Sequence, residues 1–241
     1  MTLTLSASDF WDGVKRGQPV TISGALFLPK GEGRVPAVIL SHGGGGIGRA
    51  EDTWARVLRS QGVAVFLIDS FTGRGITKFP LESELSRAGQ VYDAYQALAL
   101  LATHPRVDRD RIALMGGSRG GGLTLLAAMT RSQKAQGPES LEFCAYLALY
   151  PSISATFDYG KLAGRPIRLF TGTLDEAAPV ATLRGFAEKQ RAAGADVTLI
   201  EYEGAHHAFD NPRFPGASRG DDTRGLIYRA LPPEGPCKTQ E

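Results

Sequence analysis

Three short segments carry side chains whose types fit nucleophilic acyl transfer. The first is Gly116-Gly117-Ser118-Arg119-Gly120, a match to G-x-S-x-G. The pattern alone is a weak signal, and a glycine-rich turn bearing a solvated serine is the plain alternative. Its context sharpens it. The apolar run Arg111–Met115 (RIALM) leads straight into it, and Leu123, Leu126, Ala127 and Thr130 follow at helical spacing. A serine on a sharp strand-to-helix turn stands exposed at a helix N-terminus, where the dipole and free N–H groups favour developing negative charge. Glycines two before and two after allow the backbone to turn that tightly.

The second segment is Phe170–Pro179 (FTGTLDEAAP), with Asp175 just past an apolar run and Glu176 beside it. The third is Glu203–Phe209 (EGAHHAF), with His206 and His207. A serine nucleophile needs a base to take its proton and an acid to orient that base. The order Ser…Asp…His is the one expected when the serine sits on a strand-to-helix elbow. Asp175 comes first after its turn and is preferred to Glu176, although an aspartate can also serve there as a turn former or N-cap. His207 is the choice for the base and His206 the alternative. Two preorganised N–H donors must then hold an oxyanion. One is the backbone N–H of Arg119. The other is expected in Ser41-His42-Gly43-Gly44-Gly45-Gly46, with Gly44 the chosen donor. A nucleotide phosphate loop is the rival reading of this glycine run, but no Gly-Lys-Ser/Thr follows and only Asp69 approaches the required acidic residue.

The elements that must position these groups alternate. Val20–Leu28 reads as a strand or hairpin and Pro36–Ser41 as a strand buried on both faces. Trp54, Ala55 and Leu58 mark a helix ending at Gly62, before the strand Val63–Ile68. Leu85, Ala88, Tyr92, Tyr95 and Ala99 predict a long helix over Glu84–Thr103 with one apolar face. Phe143–Tyr150 and Ile167–Phe170 read as strands. A helix through Leu183, Phe186, Ala187 and Gln190 ends at Gly194, and Val197–Tyr202 is the last strand. Such alternation predicts an α/β architecture: a mainly parallel central sheet with helices on both faces, and its chemistry at the carboxyl ends of the strands. The short stretch between Tyr150 and Pro166 leaves no room for a large cap domain, so an open site is expected. Phe157 or Tyr159 would line one wall. Arg74 and the Arg119 side chain could favour a carboxylate-bearing substrate, unless they are solvated loop arginines.

At 241 residues the chain suits a single domain over 1–241, with a core over about 18–210 and an irregular tail over 211–241. In that tail only Asp222–Leu231 reads as helical. A formal charge of +2 with both signs interspersed gives no basic stripe, so nucleic acid is not an expected partner. The apolar runs fall well short of a membrane span. Met1–Val14 has neither a basic start nor an apolar stretch, which reads as no signal peptide and points to the cytoplasm. Cys144 lies in an apolar run and Cys237 in a polar tail; two cysteines define no disulfide framework.

Taken together, PAVILSHGGGG, GVAVFLIDSFTGRG (Gly62–Gly75), HPRVDRDRIALMGGSRGG (His104–Gly121), GTLDEAAP and YEGAHHAF make the chain resemble the dienelactone hydrolase family of the α/β-hydrolase superfamily. The pieces run from about residue 20 to residue 210, in the family's order. The resemblance implies an α/β-hydrolase fold, a triad of Ser118, Asp175 and His207, and a small-molecule ester or lactone as substrate, with no metal or organic cofactor. The family's namesake has a cysteine nucleophile, and a glutamate that manages it where Gly43 and Gly44 stand here. Ser118 therefore points to a serine esterase branch working through an acyl-enzyme. The family usually closes with a helix beside the last strand, so a shortened or differently packed C-terminus is also expected. A peptidase-like or acyl-transferring hydrolase with the same triad, and a non-catalytic binding module on the same fold, are the alternatives.

Overall fold

The computed structural model describes residues 1–81 and 83–212. In chain order its elements are β1 (Thr2–Thr4), α1 (Ala7–Trp11), β2 (Gln18–Val20), β3 (Ser23–Phe27), β4 (Val35–Ser41), α2 (Arg49–Ser60), β5 (Ala64–Asp69), α3 (Arg87–Leu101), β6 (Val107–Gly117), α4 (Arg119–Ala127), α5 (Thr130–Gln136), β7 (Tyr146–Leu149), β8 (Ile167–Gly172), α6 (Val180–Ala192) and β9 (Val197–Tyr202). Seven strands form one sheet in the order β3-β5-β4-β6-β7-β8-β9. Only β3 runs antiparallel, against β5; the other neighbours are parallel.

The continuous apolar strands are explained by two cores, one on each side of the sheet. In β4, Ala37 and Ile39 face one core while Val38 and Leu40 face the other. β6 divides Ile112 and Leu114 from Ala113 and Met115, and β7 divides Tyr146 and Ala148 from Leu147 and Leu149 in the same way. This is the period-two alternation of a strand that is covered on both faces. α2 covers one face with Trp54, Ala55 and Leu58. α3, α4 and α6 cover the other, the last through Phe186 and Ala187.

Two expectations are corrected. Of the two readings of Val20–Leu28 the strand holds, as β3 beside β5 in the main sheet, and the hairpin does not, because β2 pairs with β1 in a separate two-stranded sheet. The helix expected over Glu84–Thr103 starts later, because the Ser86 hydroxyl accepts the Gly89 N–H at 2.8 Å and caps it. Nor has it a single apolar face. α3 is buried around most of its circumference, since α1, β1 and α4 pack on the sides away from the sheet. The tail over 213–241, with Asp222–Leu231 and Cys237, lies outside the described residues. Cys144 is buried. Among the described residues no helix is long and apolar enough to cross a membrane.

Candidate active site

β6 runs into Ser118, and α4 begins at the next residue. Ser118 has φ 54° and ψ −115°, a conformation that non-glycine residues adopt only when the surroundings impose it. Those surroundings are specific. The Ser118 N–H donates to the Leu149 carbonyl at 3.0 Å, and its own carbonyl accepts from Gly122 and Ser152. The flanking glycines are there because of close approach. A Cβ on Gly120 would stand 2.5 Å from the Ser41 carbonyl oxygen and 2.8 Å from that of His42. A Cβ on Gly116 would stand 2.5 Å from the Gly120 carbonyl carbon. A side chain at Gly120 would push α4 off the end of β4, and one at Gly116 would push α4 away from β6.

The hydroxyl so presented meets His207. Ser118 Oγ lies 3.0 Å from His207 Nε2, and His207 Nδ1 lies 2.8 and 3.0 Å from the two carboxylate oxygens of Asp175. The carboxylate can only accept, so Nδ1 carries the ring proton and donates it to Asp175. Nε2 is then left as the acceptor for the serine hydroxyl. The Asp175 side chain has no solvent exposure, while that of His207 keeps 27%. Two further donors, the N–H groups of Ala177 and Ala178, fix Asp175 Oδ1 at 2.9 and 2.8 Å. The neighbours considered with them, Glu176 and His206, are exposed.

The glycine loop after β4 lies over this serine. A Cβ on Gly43 would come within 3.8 Å of Ser118 Cβ and 3.4 Å of the Gly117 carbonyl. The Gly43 N–H faces Glu51 Oε1 at 3.4 Å, and Glu51 Oε2 holds the Gly48 N–H at 2.9 Å. Glu51, on α2, thus ties both ends of the loop: its bond to Gly48 is that of a glutamate three residues past a helix N-cap, and only its reach back to Gly43 has no local sequence signal. Gly44 is covered by Phe79, whose ring a Cβ there would strike at 2.0 Å. Phe79 is 62% exposed.

His42 anchors the same loop from below. It is fully buried, with Nδ1 2.8 Å from the Gly43 carbonyl and Nε2 3.3 Å from the Ser70 nitrogen. The Ser70 N–H can only donate, so Nε2 accepts it and Nδ1 carries the proton. Burial holds the His42 pKa below its ordinary value, against the raising influence of the Gly43 carbonyl. An unfolded histidine titrates near 6.5. Below that pH the unfolded chain takes up a proton that folded His42 refuses, so its contribution to stability is full above 6.5 and is lost as the pH falls. The melting temperature is expected to drop more steeply between pH 7 and 5 for the parent than for His42→Asn. Parallel curves would show that His42 is not responsible.

The structure corrects the remaining substrate-contact expectations. Arg74 does not face a substrate: its guanidinium pairs with Asp93 at 2.8 and 2.9 Å and also donates to Thr4 Oγ1 and the Ser70 and Leu3 carbonyls. Both side chains of that pair are almost fully buried, so Arg74 is a strut joining β1, the loop after β5 and α3. The Arg119 side chain is likewise buried, donating to Gln90 Oε1 at 2.5 Å and to the Leu85 carbonyl. Phe157 packs at a tilt against Trp11 and edge-on against Tyr159, and Tyr159 packs edge-on against Phe186. They line a cavity of about 190 Å³ between the segment 153–159 and α6, and none of these ring contacts is with Ser118, Asp175 or His207.

Three residues around the site escaped sequence reading. Ser152 places its hydroxyl 3.5 Å from Ser118 Oγ. Tyr150 presents its ring edge-on to His207, 4.9 Å between centroids. Phe79 covers the glycine loop. A larger cavity, of about 750 Å³, lies at the opposite pole, where Arg109, Glu142 and Arg165 precede or begin strands. Volume therefore does not locate this site; side-chain geometry does.

A family model described as the dienelactone hydrolase family matches residues 22–224. Among solved structures, the chain is similar to a Klebsiella pneumoniae protein assigned as a dienelactone hydrolase, with 20% identity, 95% of each chain covered and a TM-score of 0.70. It is also similar to an esterase of the planctomycete Thermogutta terrifontis with propionate bound, with 21% identity, 93% of this chain and 95% of that one covered, and a TM-score of 0.66. A rat protein, acyl-coenzyme A amino acid N-acyltransferase 2, is 33% identical over 119 residues. That match takes in 48% of this chain and 26% of the rat protein, so the chain spans about a quarter of that relative's length.

Proposed function

The chain belongs to the dienelactone hydrolase family, and from that footing we propose that it is a serine esterase that hydrolyses a small carboxylic ester or lactone through an acyl-enzyme. The observation that carries this reading is the unbroken line from Ser118 Oγ through the His207 ring to the buried Asp175 carboxylate. His207 Nε2 takes the serine proton as Oγ attacks the carbonyl carbon. The charge that develops on the carbonyl oxygen falls to the N–H of Arg119, at the start of α4, and to a loop donor. Because the Gly43 N–H is turned toward Glu51, we assign the loop donor to Gly44. Collapse of the adduct expels the alcohol with the proton that His207 holds, and water then repeats the sequence on the acyl-serine.

The side chains around the serine favour a neutral acyl group. The exposed group nearest the loop donor is the apolar ring of Phe79, and the Arg74 and Arg119 cations are buried in struts. Hydrolysis of p-nitrophenyl acetate and butyrate, compared with a p-nitrophenyl monoester of succinate, tests the reading. Turnover is expected on all three, with kcat/KM higher for the neutral esters. No turnover on any of them would overturn the esterase assignment, and preference for the succinate ester would overturn the neutral-acyl part.

The partial match to an N-acyltransferase favours one second reading, in which an amine replaces water at the acyl-enzyme. Added glycine would then yield an N-acylglycine in place of free acid during ester turnover. A product that stays free acid at every glycine concentration would leave hydrolysis alone.

A further inference from the structure

His207 sits on a loop, so its aim depends on what holds that loop. Upstream the anchors are modest: the Gly204 N–H donates to Thr173 Oγ1 at 2.9 Å, and the Ala205 carbonyl accepts the Leu174 N–H. Directly after His207 the backbone turns left-handed at Ala208, φ 57°. Such a residue persists only where later contacts impose it. They follow at once. Phe209 is fully buried against Tyr150 and Tyr202, and Asp210 receives two donors from distant parts of the chain. Tyr150 Oη donates to Asp210 Oδ1 at 2.6 Å, and Trp54 Nε1 donates to Oδ2 at 2.5 Å.

Both donors are themselves fixed. Trp54 belongs to α2 and is 4% exposed. Tyr150 follows β7 at φ 35°, with its N–H bonded to the Phe170 carbonyl at 2.6 Å. Its ring occupies the space where Gly117 lacks a side chain and meets the edge of His207. Burial, and then the Asp210 carboxylate, raise the phenol's pKa well above its usual value, so it stays a donor. One carboxylate thus joins the helix behind the glycine loop, the residue beside the nucleophile turn and the loop of the base.

We propose that Asp210, clamped by Tyr150 and Trp54, is a positioning residue that sets the His207 ring between Ser118 and Asp175. This rests on reading His207 as the base. Asp210 touches neither reacting atom, so its removal acts through the placement of His207, and a misplacement of about 1 Å can cost about 10²-fold in rate. Asparagine at 210 can keep the geometry without the charge: its oxygen accepts from Trp54, and its amide donates to the Tyr150 oxygen, which can also accept.

The test measures kcat and KM on p-nitrophenyl butyrate for the parent, Asp210→Ala, Asp210→Asn, Tyr150→Phe and Ser118→Ala, each with its melting temperature. Asp210→Ala is expected to lower kcat about 10²-fold with little change in KM. Asp210→Asn is expected to recover most of that loss, and Tyr150→Phe, which removes one hydroxyl only, to fall between. A folded Asp210→Ala with the parent's kcat would overturn the proposal, as would a loss confined to KM. If Asp210→Ala does not fold, the other two decide: the parent's kcat in Tyr150→Phe, or the same loss in Asp210→Asn as in Tyr150→Phe, would overturn it. Should Ser118→Ala retain full activity, the site reading itself fails, whatever the Asp210 variants do.

Discussion

Replacing Ser118 with alanine is expected to lower kcat on a short-chain p-nitrophenyl ester by about 10⁶-fold, the loss that follows removal of a nucleophile from a concerted triad. The effect should fall on chemistry and leave the fold intact. Ser118 is held through its backbone, by Leu149, Gly122 and Ser152, and these bonds do not involve the hydroxyl. Alanine meets the same left-handed φ as serine, so the backbone strain is common to both proteins. The melting temperature should therefore stay near that of the parent while turnover falls to the level left by the oxyanion donors and binding alone. A second substitution, His207→Ala, made in the Ser118→Ala background should add almost nothing, because the two groups act as one unit. Additive losses would mean that the serine and histidine work independently.

Asp175→Asn is expected to lower kcat by about 10⁴-fold, a loss that arises from the wrong histidine tautomer. The asparagine oxygen can still accept from Ala177 and Ala178, which hold Oδ1 at 2.9 and 2.8 Å. Its amide then points at His207 Nδ1 as a donor. The imidazole must answer with a lone pair at Nδ1, which moves its proton to Nε2, the atom that faces Ser118. A protonated Nε2 cannot accept the serine proton. Asp175→Ala forms a useful contrast, since it leaves the buried Ala178 N–H without its acceptor and should cost about 1–3 kcal/mol of stability. A similar kcat in Asp175→Asn and the parent would remove Asp175 from the proposed mechanism.

The strands were legible because burial on both faces leaves a continuous apolar signature, as in Ala37–Leu40, where alternate residues enter opposite cores. The segments Gly116–Gly120, Asp175 and His207 were legible because strand ends are where such a sheet places reactive side chains, and the three groups do meet in space. What escaped was set by partners far away in the chain. Nothing local separates a hairpin over Val20–Leu28 from two strands whose mates are β1 and β5. α3 looks amphipathic until α1 and β1 are known to cover its outer side. Arg74 reads as an exposed loop cation because its partner, Asp93, lies on a helix 19 residues later. Asp210 meets Trp54 across 156 residues and Tyr150 across 60, so no motif could have joined them. The Ser86 cap is different: the sequence carried it, and apolar periodicity alone set the helix start too early.

Ser118 is expected to carry the covalent bond to substrate. Incubation with diethyl p-nitrophenyl phosphate, followed by intact mass and peptide mapping, tests this without knowledge of the natural ester. The expected result is one diethylphosphoryl group per chain, on the peptide bearing Ser118, gained in step with loss of esterase activity and absent from Ser118→Ala. Loss of activity with the label on another residue, or full labelling of Ser118→Ala, would contradict it.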